Sequence, residues 1–149
     1  MEHEHEILSY IKKNPVAVVS TLAKDHTLHG AAVYICAWLA DQLYFVTKTD
    51  TQKFQNILDN PEVAITIVDA AENSSLQASG RASVVKDVAY IDTVMAKMAV
   101  IYAQGSDWLP PITKIRAGAY QMIGVKLTQA RLAHYKDFRP GDKRIFKEL

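Results

Sequence analysis

The chain has 149 residues, of which 49% are hydrophobic and 22% charged, with a formal net charge of +1. That length suits one domain with its own core, and the composition excludes a disordered chain. The balanced charge excludes a global field that recruits nucleic acid or an anionic membrane, so any bound anion must be held by a local site.

The first residues, Met1 to Glu6, are acidic where a secretory signal is basic and then apolar, which points to the cytoplasm. No apolar run reaches the roughly 20 residues that span a bilayer. Glu2, Glu4 and Glu6 at one end and Lys12 and Lys13 at the other match a helix dipole, with Ile7, Leu8 and Ile11 on one face. Asn14-Pro15 ends that helix. Val16 to Leu22 is β-branched and apolar on both parities, as in a strand buried on both sides. After the polar turn Lys24-Asp25-His26, Gly30 to Leu39 reads as a second strand, and Asp41-Gln42 leads tightly into a third, Leu43 to Thr47.

From Thr51 the period changes: Phe54, Ile57 and Leu58 mark a short helix that Asp59-Asn60-Pro61 closes. Val63 to Val68 is a strand. Ser74 to Val85 is a longer one, with Ala78, Gly80, Ala82 and Val84 alternating against Gln77, Ser79, Arg81 and Ser83. Lys86 to Gln104 returns to helix, its stripe of Val88, Ile91, Met95, Met98 and Tyr102 suited to core or dimer contact. Trp108 to Pro111 is a turn, followed by a short basic helix through Arg116. The last strand runs from Tyr120 to Leu127 and on to Tyr135 with a break near Gln129, and the charged tail from Phe138 lies on the surface. The single cysteine, Cys36, can form neither an internal disulfide nor a thiolate zinc site.

These elements amount to one domain over residues 1–149, mainly β with inserted helices. Six strands without βαβ alternation favour a closed antiparallel barrel, which also removes exposed edges. There is no nucleophile elbow, phosphate loop or GxGxxG. Among the five histidines, His3 and His5 lie at the terminus, His26 and His29 flank a turn, and His134 sits on the last strand, so no metal site is expected. The segment Tyr44 to Lys53 stands out. An apolar strand runs into two lysines and three threonines and then a helix start, which together supply the ammonium, hydroxyl and amide groups that hold a phosphate.

The run from Leu43 through Lys53, Asn56-Ile57-Leu58 and Asp59-Asn60-Pro61-Glu62-Val63, with the later Leu76-Gln77-Ala78-Ser79-Gly80-Arg81-Ala82, resembles the pyridoxamine 5′-phosphate oxidase-like, FMN-binding split-barrel family. The resemblance covers roughly Val16 to Tyr102. It implies a six-stranded antiparallel split β-barrel holding FMN at the interface of a homodimer, with a small-molecule substrate. Carried over by position, Lys53 matches the phosphate-binding lysine, and Lys48, Thr49 and Thr51 the other phosphate-side positions. Val46 and Thr47 fall beside the flavin ring, Val33 and Tyr34 near its edge, and Gln77 reaches it from the partner subunit. Trp108 either covers the ring or anchors a loop.

The tail lacks the arginine and histidine pattern with which true pyridoxamine phosphate oxidases hold their substrate, and lysines stand where those enzymes use arginine. The leading expectation is an FMN-dependent oxidoreductase. The alternatives are a flavin-binding stress or storage protein without turnover, and a relative of the same fold that uses haem, with His134 or His29 as axial ligand, or a deazaflavin.

Overall fold

The computed structural model describes residues 2–39, 41–102, 119–136 and 146–148. Along the described residues the elements are α1 (Glu2–Lys13), β1 (Val16–Leu22), β2 (Leu28–Tyr34), β3 (Cys36–Leu39), β4 (Gln42–Lys48), α2 (Gln52–Asp59), β5 (Glu62–Asp69), β6 (Ser74–Val84), α3 (Val88–Tyr102), β7 (Tyr120–His134) and β8 (Phe146–Glu148). Every strand pairing is antiparallel. The order across the sheet is β2-β1-β5-β6-β7-β4-β3, with β8 added to β7 off this path.

The two ends of that path are consecutive in the chain. The segment from Leu28 to Leu39 follows β1 as far as Ile35, whose amide donates to the Pro15 carbonyl at 2.8 Å, and then pairs with β4. The sheet therefore curls back on itself and makes a split barrel. The expected single strand over residues 30–39 is thus two. That division, with the short β8, is why the sheet exceeds the expected six strands. Alternation fails at the handover, where Ile35, Cys36 and Ala37 are all buried in succession. A strand serving two different neighbours cannot keep one pleat throughout.

Inside the barrel, Val19, Leu43, Phe45, Ile65, Ile67, Leu76, Ile123, Val125 and Leu132 form the main core. Helix α1 closes one end with Ile7, Tyr10 and Ile11, and the Ser74 hydroxyl donates to the Tyr10 hydroxyl at 3.2 Å. Helix α2 closes the other end with Phe54 and Ile57. A second cluster joins α3 to the outer face of β3, β4 and β7: Val94, Met95 and Met98 pack on Cys36, Tyr44 and Met122. Val88, expected in that stripe, is 62% exposed, while Val94, outside the expected stripe, is buried. The Tyr44 and Tyr90 rings meet edge to face at 5.7 Å with their hydroxyls hydrogen-bonded, and burial, then the Tyr90 contact, push the Tyr44 hydroxyl pKa up.

Strand β7 is continuous, and in place of the expected break its register with β6 shifts between Ser79 and Gly80, leaving Thr128 as the extra residue. The bulge presses the chains together there. A Cβ on Gly80 would lie 2.4 Å from the Lys126 carbonyl oxygen, so this position takes no side chain. The expected turn at Trp108 and the basic helix through Arg116 lie outside the described residues.

Candidate functional site

Along β4 the side chains of Leu43, Phe45 and Thr47 face the interior while those of Tyr44 and Val46 pack toward α3. Thr47 is the last interior residue before the chain leaves the barrel at the α2 end. The loop is pinned by the Thr49 amide, which donates to the Ala119 carbonyl at 3.2 Å. Thr51 then caps α2 from an extended backbone (φ −88°, ψ 151°), its hydroxyl accepting from the Phe54 amide at 3.4 Å and donating to the Lys48 carbonyl at 2.9 Å.

Lys53, the second residue of α2, reaches back over this hydroxyl pair. Its Nζ donates to Thr47 Oγ1 at 2.5 Å, and the Thr47 and Thr51 hydroxyls lie 3.1 Å apart. Lys53 is only 8% exposed, and among the described residues no carboxylate lies within ion-pairing distance of it. Burial accordingly pushes its pKa below the ordinary lysine value. A buried ammonium is costly unless paired, and neutral hydroxyls solvate it without balancing its charge. The donor set of one ammonium, two hydroxyls and the start of α2 fits a phosphate monoester. Lys48 stands exposed beside it, its Nζ 5.9 Å from the Tyr120 ring centroid.

The sequence reading missed a chain of polar groups behind this cluster. Gln52 Nε2 donates to Asn56 Oδ1 at 2.7 Å, and Asn56 Nδ2 donates to Thr21 Oγ1 at 3.0 Å. Asn56 and Thr21 are both buried, so the chain ties the first turns of α2 to the end of β1. The signal was present as two amides at i, i+4 on a short helix.

The remaining predicted residues are distributed by the pleat. Val33 is buried in the main core and Tyr34, its neighbour, faces outward from β2. Val46 packs against the α3 cluster, opposite in sense to Thr47. Gln77 does not join the Lys53 cluster. It lies on the outer face of β6, where it lines a groove of about 290 Å³ with Ser79, Gln129 and Arg131. Period two along the last strand puts Gln129 and Arg131 on one face, a sign the sequence held. Trp108 lies outside the described residues. His134 Nε2 is 3.4 Å from Glu6 Oε1, and His29 lines a polar cavity beside α2. No group of three metal-ligating side chains occurs among the described residues.

A sequence description of the pyridoxamine 5′-phosphate oxidase family matches residues 3–134. The chain belongs to this family. No curated protein sequence matches it. Structures of similar fold include a protein from Clostridium acetobutylicum related to general stress protein 26 of Bacillus subtilis and described as of the pyridoxinephosphate oxidase family. It has a TM-score of 0.67 and 12% identity, over 97% of this chain and 89% of that one. Campylobacter jejuni ChuZ gives a TM-score of 0.74 at 12% identity, covering 97% of this chain and 58% of that one. A haem-binding protein from Mycobacterium smegmatis gives 0.71 at 12% identity, and this chain spans 57% of its length. At these identities the structures share the fold with this chain, and the cofactor is argued from the site. No helix among the described residues is long and apolar enough to cross a membrane.

Proposed function

We propose that this chain is an FMN-dependent oxidoreductase acting on a small molecule, with the cofactor seated between two copies of the chain. The observation that carries this reading is the buried Lys53 ammonium, set on the Thr47 and Thr51 hydroxyls and without a carboxylate among the described residues. Lys53, Thr47 and Thr51 hold the phosphate, with Lys48 and Thr49 on its solvent side. The family resemblance assigns Tyr34 and Val46 to the ring side, with Val33, buried in the main core, behind them. FMN supplies the hydride and electron chemistry when bound, so the protein needs to bind, orient and shield rather than provide an acid–base pair.

The outer face of β1, β2, β5 and β6 supports the dimer. Val16, Val18, Gly30, Ala32, Ala64, Thr66 and Val68 make a broad patch of small and apolar residues, edged by the Glu62–Arg81 ion pair, and Val16, Val18 and Val68 are 49%, 42% and 64% exposed. No helix among the described residues covers it, and an exposed apolar face of this kind marks an interaction surface. Gln77 borders that face, so a second copy seated on it brings Gln77 toward its neighbour's cofactor rather than its own. Trp108 is assigned to the ring on the family resemblance alone.

The test is an absorbance spectrum of protein incubated with FMN and then desalted. Retained bands near roughly 370 and 450 nm, lost in Lys53→Ala, are the expected result for a ring held by protein. A colourless wild-type protein, or a Lys53→Ala variant that keeps its flavin, overturns the assignment. Bleaching of the bound flavin by a reduced nicotinamide then tests for turnover. Flavin that stays oxidised reduces the reading to a binding protein.

A further inference from the structure

Helix α2 is held in place by two unlike edges. It buries four side chains, those of Lys53, Phe54, Asn56 and Ile57. At about 100° per residue, Lys53 lies between the apolar pair Phe54 and Ile57 on one side and Asn56 on the other. Phe54 and Ile57 pack in the main core, where contacts are non-directional and tolerate a small roll of the helix about its own axis. A helix of eight residues has little more than two turns with which to resist that roll.

Asn56 supplies the direction. Gln52 Nε2 donates to Asn56 Oδ1 at 2.7 Å, Asn56 Nδ2 donates to Thr21 Oγ1 at 3.0 Å, and the Thr21 hydroxyl donates onward to the His29 carbonyl at 3.5 Å. Every member gives in the same sense, from the start of α2 through its buried edge to β1 and β2. Asn56 and Thr21 are each 1% exposed, so water cannot replace either partner, and parting them leaves buried polar groups unsatisfied. The Asn56 carbonyl also accepts from the Asn60 amide at 2.7 Å, which ties the end of α2 to the same residue.

Lys53 depends on this setting. Its Nζ meets Thr47 Oγ1 at 2.5 Å, a contact with no slack. A group about 6 Å from the helix axis moves about 2 Å for a roll of about 20°, enough to part the ammonium from the hydroxyl. We propose that Thr21 and Asn56 are positioning residues for the phosphate site: their buried hydrogen bond fixes the roll of α2 and so seats the Lys53 ammonium on Thr47. Thr21 lies on β1, and its hydroxyl bonds to Asn56 and His29, not to Lys53, Thr47 or Thr51. The bearing of this pair on FMN rests on the phosphate reading above; its bearing on the Lys53 ammonium does not.

The test compares Thr21→Val, which keeps the shape of the side chain and removes its hydroxyl, with Thr21→Ser, which keeps the hydroxyl. Two readings are taken on the full chain: the pH titration of the Lys53 side chain by 13C NMR without ligand, and FMN affinity by quenching of flavin fluorescence. In Thr21→Val the Lys53 titration is expected to move back toward the ordinary lysine value as the ammonium leaves its buried seat, and FMN affinity to fall about tenfold. Thr21→Ser is expected to behave as the parent chain in both. Leu132→Val, a core change on β7, controls for lost stability and is expected to move neither reading. Gln52→Ala, at an exposed position, loosens the same chain of bonds and is expected to shift both readings the same way, by about threefold in affinity, so the proposal is decided even where Thr21→Val does not fold. A Lys53 titration unchanged in Thr21→Val and Gln52→Ala, a Thr21→Ser chain as impaired as Thr21→Val, or an equal shift in Leu132→Val overturns the proposal. A parent chain that binds no FMN while its Lys53 titration responds to these variants overturns the FMN assignment and upholds the positioning.

Discussion

Lys53 carries two opposed demands, because burial disfavours its charge while the proposed ligand requires it. In the folded, ligand-free protein its pKa lies below the ordinary lysine value of 10.5. Between the depressed value and 10.5 the unfolded chain binds more protons than the folded one, so the stability of the ligand-free protein rises with pH across that window. A bound phosphate favours the ammonium and reverses the balance. FMN binding is therefore expected to take up a proton in that alkaline window and to weaken as pH climbs through it. Titration calorimetry in two buffers of different ionisation heat reads the proton directly, and binding with no proton uptake there counts against a phosphate on Lys53. Replacing Lys53 by methionine removes the buried charge and keeps the packing. The ligand-free variant is expected to lose no more than about 1 kcal/mol, or to gain stability, while losing FMN retention. A loss above about 2 kcal/mol by urea unfolding makes Lys53 a structural residue instead.

Among the elements, α2 is the one on which the candidate site depends. Thr51 caps it and also touches the Thr47 hydroxyl, so Thr51→Ala is expected to cost about 1 kcal/mol of stability and to weaken FMN about tenfold. Denaturant unfolding and flavin titration separate the two effects. The β6–β7 bulge is less forgiving. Gly80→Ala forces a Cβ against the Lys126 carbonyl and is expected to cost about 2–3 kcal/mol, seen as a lower urea midpoint at unchanged slope. Much of this was legible in the sequence. Residue order placed α2, and the segment from Tyr44 to Lys53 marked the candidate site, although Thr47, assigned there to the ring side, meets Lys53 and Thr51 instead. What the sequence left hidden were effects of closure. Nothing local in Gly30 to Leu39 says that the strand changes partners at Ile35, because that switch answers to β1 and β4 lying on opposite sides of it. His29, read as flanking a turn, has a buried ring nitrogen and shares a cavity with Gln52 and Asn56 of α2, which follow it in the chain by more than 20 residues. Val88 was placed in the α3 stripe by spacing alone, whereas the true contact face turns on which side of the helix meets Tyr44 and Met122.

For the whole molecule, the barrel offers two contrasting outer surfaces: one under α3, and one left open across β2, β1, β5 and β6. The open surface is where the proposed dimer is seated. In size-exclusion chromatography with light scattering the parent chain is expected to run as a dimer, and Val18→Lys, near the middle of that surface and cross-strand from Ala32 and Thr66, as a monomer. A parent chain that is monomeric at every concentration removes the shared cofactor site. The order of strands has a separate consequence for how the protein is made. Strand β7 is the last long strand in the chain but lies inside the sheet, bonded to β6 on one side and β4 on the other. During synthesis, β4 and β6 therefore both present open hydrogen-bonding edges until residues 120–134 have emerged from the ribosome. The nascent chain is most prone to sticking to its neighbours in that interval, and a ribosome stalled before residue 120 releases a product with two unpaired edges and a core open to water.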